Sequence, residues 1–117
     1  MFMLKAILMM IFPFYRINLP PNIYPQSFTY SEYDHGVVVN KKIVAHGDVL
    51  YVALRDQLKK ESSGWKYDIT TYAPQYLFSS DLVKINCTGK MVVINYEQDG
   101  SWLQISKEAR KPCPAPK

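Results

Sequence analysis

Residues 83–106, VKINCTGKMVVINYEQDGSWLQIS, decide the fold class of this 117-residue chain. Val83, Ile85 and Cys87 alternate with Lys84, Asn86 and Thr88, the period-two pattern of a half-buried strand. Thr88-Gly89 is a turn signal, Met91–Tyr96 is a continuous apolar run suited to a central strand, and Asp99-Gly100 turns the chain into a last strand at 101–106. Connections this short cannot join parallel neighbours, which need crossovers of about a dozen residues or more. The C-terminal half is therefore read as an antiparallel meander.

Upstream, residues 65–72 (WKYDITTY) keep the same period, with Trp65, Tyr67 and Ile69 on one face. Ala73-Pro74 breaks the pattern, and residues 76–79 form a short strand or a loop. One amphipathic helix precedes them, over residues 48–62. Asp48 suits its N-cap, and Leu50, Leu54 and Leu58 recur at i, i+4, i+8, with Val49 and Ala53 beside them. Lys59 and Lys60 complement the dipole of its last turn, and Ser63-Gly64 ends it. Before the helix, residues 28–34 alternate as a strand. Val37–Val39 and Ile43–Ala45 read as the short arms of a hairpin turning at Asn40-Lys41-Lys42. The expected class is α+β, a single helix packed on a curled antiparallel β-sheet that ends in the meander. The plan is similar to that of cystatin-like folds, in architecture alone, because the glutamine-valine-glycine loop of cystatins is absent.

The chain divides into three parts. Residues 1–16 carry Lys5 and then ten uncharged, almost wholly apolar residues before Arg16. That run is too short to span a bilayer and has the length of a signal-peptide core, so export or anchoring is expected, to the periplasm or outside the cell. Residues 17–26 hold three prolines and read as an extended linker. Residues 27–117 form one domain with a basic, proline-rich tail. The formal charge is +4, and 48% of the residues are hydrophobic, enough to build a core. The excess charge sits at the ends: residues 1–30 carry +2 and 107–117 carry +3, while 31–106 hold eight basic and nine acidic residues. A near-neutral domain argues against nucleic acid as a partner. Membrane contact is expected only through the N-terminal segment, if it is retained.

Cys87 and Cys113 are the two cysteines. An even count in an exported chain predicts one disulfide, closing a loop of roughly 25 residues. They lack the spacing of a zinc site or a redox motif. Asn86-Cys87-Thr88 is a glycosylation sequon, and a strand there would turn Asn86 to the accessible face opposite Cys87. His35 and His46 flank the proposed 37–45 hairpin, each near an aspartate, and would meet at its open end as a metal or acid–base pair. No serine-hydrolase elbow, zinc-protease helix or phosphate-binding loop occurs, so the residues argue against an enzyme and call for no cofactor. Tyr72, Gln75, Tyr76 and Phe78 crowd the Pro74 loop, as the aromatics of a recognition surface do. The expectation is a small exported, non-catalytic protein-binding module of the inhibitor or toxin-immunity type. The alternative is a ligand-binding or enzymatic cone with a pocket between helix and sheet.

Overall fold

A computed structural model describes residues 16–109. The apolar segment before Arg16 and the tail carrying Cys113 lie outside the described residues. One helix packs on an antiparallel sheet of eight strands, and the sheet is largely open rather than curled into a cone. In chain order the elements are β1 (Arg16–Ile17), β2 (Ser27–Asp34), β3 (Val37–Ala45), α1 (Val49–Lys60), β4 (Trp65–Tyr67), β5 (Tyr76–Ser79), β6 (Val83–Thr88), β7 (Met91–Gln98) and β8 (Ser101–Glu108). Across the sheet the order is β1-β4-β8-β7-β6-β5-β2-β3. The meander is present as read: β5, β6, β7 and β8 are successive antiparallel neighbours.

The N-terminal hairpin differs from its reading. Val37–Ala45 is one nine-residue strand, and Asn40-Lys41-Lys42 lies within it rather than at a turn. The turn is His35-Gly36, between the paired residues Asp34 and Val37. Both turn residues have positive φ, 51° and 80°, the geometry of a two-residue type I′ hairpin that glycine adopts without strain. The polar break misled because β3 is an edge strand. Almost all of it faces solvent, so neither face needs to be apolar.

Helix α1 is capped as predicted, the Asp48 carboxylate accepting from the Leu50 N–H at 2.8 Å. Its buried face is Leu50, Tyr51, Leu54 and Leu58; Val49 is 84% exposed and is not part of it. These side chains pack on one face of the sheet, the inner face, against a row formed by Tyr30, Phe78, Ile85, Ile94 and Ile105. The stretch 17–26 is extended, as its prolines demand, yet it is no spacer. Ile23 is fully buried, Ile17 and Leu19 pack on the core, and the Tyr51 hydroxyl donates to the Pro25 carbonyl. No helix among the described residues is long and apolar enough to cross a membrane.

Two connections cross the sheet. Helix α1 carries the chain over the inner face, from β3 at one edge to β4 near the other. Residues 68–75 then bring it back from β4 to β5, past β8, β7 and β6. That return covers four strand spacings, about 19 Å, within the reach of eight extended residues. It runs over the outer face, and it positions the site.

Candidate functional site

The returning strap lies along a row of outward-facing residues. Asn86, Val93 and Ser106 are paired across β6, β7 and β8, and all three are buried, although strand alternation turns them away from the helix. At one end of the row the strap is held by Asp68. Its Oδ2 accepts from the Ser106 hydroxyl at 2.7 Å and from the Tyr72 hydroxyl at 2.5 Å. Its Oδ1 accepts from the Thr70 N–H at 2.8 Å, closing an Asx turn. The Gln104 amide donates to the carbonyls of Asp68 and Thr70 at 2.9 and 2.7 Å. At the other end Asn86 donates to the Ala73 carbonyl and accepts from the Gln75 N–H, both at 3.1 Å. Burial alone would raise the Asp68 carboxyl, but the hydrogen bonds from Ser106, Tyr72 and Thr70 outweigh it and hold the group at about 2. Asp68 is thus an anion at neutral pH with both oxygens engaged.

Between the strap and the sheet lies a cleft of about 350 Å³, lined by Asp68, Ile69, Thr70, Thr71, Tyr72, Asn95, Trp102, Leu103 and Gln104. Trp102 keeps 47% of its surface open there, with the Lys84 ammonium 5.9 Å from the ring centroid. This cleft is on the face opposite the helix. Between helix and sheet, where the cone reading placed a pocket, the four buried side chains of α1 pack directly on the core.

The predicted recognition residues are divided rather than gathered. Tyr72 is on the strap over the outer face, half-buried, with its hydroxyl bound to Asp68. Gln75 uses its side-chain oxygen to accept from the Gly89 N–H at 2.8 Å. Tyr76 and Phe78 lie on β5 and face inward; Phe78 is fully buried and Tyr76 packs on the core. His35 and His46 sit at opposite ends of β3, about 30 Å apart at the rise of an extended strand, so they cannot share a metal. His35 pairs with Asp34 at 2.7 Å in full solvent, and His46 packs on Tyr51. Among the described residues no group of three or more potential ligands could hold a metal ion. Asn86 is 8% exposed with its amide committed to the strap, so the sequon is not the accessible site its strand position implied. Cys87 is buried on the inner face and is not a free thiol; Cys113 lies outside the described residues. Reading 65–72 as one strand concealed the strap. The sign of it was Asp68-Ile69-Thr70, an Asx-turn spacing that ends β4 at Tyr67.

The second feature is the free edge. Among the described residues β3 pairs only with β2, and along it Val37, Val38, Val39 and Ile43 are 63, 44, 58 and 73% exposed, with Lys41 and Lys42 between them. The opposite edge, β1, is two residues long. A register shift between Glu32 and Tyr33 leaves Val39 without a partner on β2, a bulge in the middle of the hairpin. No protein-family model, no curated protein and no solved structure matches this chain.

Proposed function

We propose that this chain is a non-catalytic protein-binding module that captures an extended acidic segment of another protein as an added strand on β3. The observation that carries the reading is the nine-residue free edge, with four exposed β-branched side chains and no acidic residue. An unpaired edge offers backbone donors and acceptors to an incoming strand, and the side chains beside it set specificity. Lys41 and Lys42 are adjacent, so they project to opposite faces. A complementary strand carries two consecutive carboxylates, one for each lysine, flanked by β-branched residues for the valines and Ile43. Each such cross-strand pair contributes about 0.2–1 kcal/mol. A second copy of the chain is a poor occupant, because full antiparallel overlap of two β3 strands sets Lys41 directly opposite its own symmetry mate. The reading fits an inhibitor or immunity protein, which acts by surface complementarity alone.

The test is selection of displayed random peptides on the full chain. Enrichment of β-branched peptides with paired acidic residues is expected. Their binding should weaken with salt, fall at least tenfold in the Lys41→Glu/Lys42→Glu variant, and slow hydrogen exchange of β3 amides. Binders without acidic residues, or binding that leaves β3 exchange unchanged, would overturn it.

A further inference from the structure

We infer that the outer-face cleft is a binding site for a neutral saccharide, distinct from the β3 edge. The one ionised group lining the cleft is Asp68, and both its oxygens are spent on holding the strap. Among the described residues no cationic side chain lines the cleft itself, and the Lys84 ammonium stands at its margin, 5.9 Å from the Trp102 ring centroid. What remains for a ligand is neutral and polar: the Asn95 amide, the Gln104 side-chain oxygen and the Thr71 hydroxyl. Gln104 is fixed, because its nitrogen already donates to two strap carbonyls. Asn95 is half-buried opposite Gln104 on the neighbouring strand, and its amide offers two donors and an acceptor.

The second element is aromatic. The open indole of Trp102 stands beside these groups, and the exposed side chain of Ile69 lies on the strap. A pyranose ring has one apolar C–H face, which stacks on an indole, and a rim of hydroxyls, each both donor and acceptor. An aromatic shelf next to amides and hydroxyls matches that pairing, whereas a purely apolar ligand would leave those polar groups unpaired. At about 350 Å³ the cleft is near the small end of the roughly 300–1,000 Å³ range of ligand sites, room for one or two sugar rings. The strap is already tied down at both ends, so binding requires little ordering.

The test is a glycan array probed with the full chain, followed by calorimetric titration of the best-bound sugar at millimolar concentrations into every variant, with Trp fluorescence as a second readout in chains that keep Trp102. Trp65 is buried, so a sugar-induced change reports on Trp102. The expected result is saturable binding of a neutral glycan. It should weaken at least tenfold in Trp102→Ala and in Asn95→Ala, be largely retained in Trp102→Phe, and be unchanged in Lys41→Glu/Lys42→Glu. Trp102 lies at the surface, so its replacement leaves the fold intact even if Asn95→Ala does not. Absence of glycan binding, preference for charged glycans, or equal binding by Trp102→Ala would overturn the inference without bearing on the β3 edge.

Discussion

Two buried polar side chains make opposite contributions at the level of the single residue. Asp68 is an ionised carboxylate that accepts three hydrogen bonds, and its affinity for a proton is lowered from the ordinary 3.8 to about 2. A carboxyl whose folded value is depressed stabilises the fold above its unfolded value, and that contribution is lost as the pH falls from about 4 through about 2. The shift corresponds to about 2 kcal/mol. Asp68→Asn should therefore lose about 2 kcal/mol at pH 7 in urea titration, and the gap to the natural chain should close near pH 2. Tyr30 is the reverse case. Its hydroxyl is buried with no hydrogen-bond partner among the described residues, and burial, assisted by Glu32 and Tyr76, pushes it up to about 12. An unsatisfied hydroxyl in a core costs about 1–3 kcal/mol. Tyr30→Phe removes it while keeping the ring contact with Phe78, and should raise the unfolding midpoint in the same titration; a clear loss would show that the hydroxyl has a partner after all.

At the scale of elements, β3 shows what a polar interruption means. Asn40-Lys41-Lys42 between two β-branched runs has the composition of a turn, yet the same residues suit an exposed edge strand, where lysines discourage pairing with another copy. Composition does not separate these cases, because what decides is whether the strand is covered, a property of the whole sheet. Helix α1 was legible for the converse reason: its cap, leucine spacing and terminal lysines are local signals that agree. Its face was read slightly wrong, since Tyr51 takes the place given to Val49, which faces solvent. If the two lysines guard the edge, replacing them exposes a flat apolar strand. Lys41→Val/Lys42→Val should convert the chain into dimers or larger species in light scattering at concentrations where the natural chain stays smaller. An unchanged size distribution would mean that the bulge at Val39 protects the edge by itself.

Taken as a whole, the molecule is an open sheet crossed once on each face, by α1 and by the strap. The meander was visible in the sequence because its partners are neighbours in the chain. The placement of β4 beside β8 was not, because that pairing joins residues about forty positions apart and leaves no periodic trace. The site followed the same rule. Asn86, Gln104 and Ser106 look like ordinary solvent-facing positions until the strap is known to cover them. The long-range link that the sequence does announce is between its two cysteines, and the topology makes it feasible. Cys87 shares a row with Val92 and Lys107 on the inner face, and β8 is followed by Ala109, whose N–H donates to the Lys90 carbonyl at 2.8 Å. Ala109 is therefore two strand spacings and two residues from Cys87, about 12 Å. Four residues further on is Cys113, and four extended residues reach about 14 Å, while a bridge needs only about 5.5 Å between Cα atoms. A Cys87–Cys113 disulfide, as expected from the sequence, would thus close without moving the sheet and would join the basic tail to a domain that is otherwise close to neutral. It should stabilise the fold by about 3 kcal/mol, the worth of a loop of some 25 residues. The natural chain should resist alkylation under native conditions and give a linked peptide pair on non-reducing digestion. Reduction and Cys113→Ser should lower its stability by similar amounts, whereas two thiols that alkylate in the native protein would show that the tail is not held there.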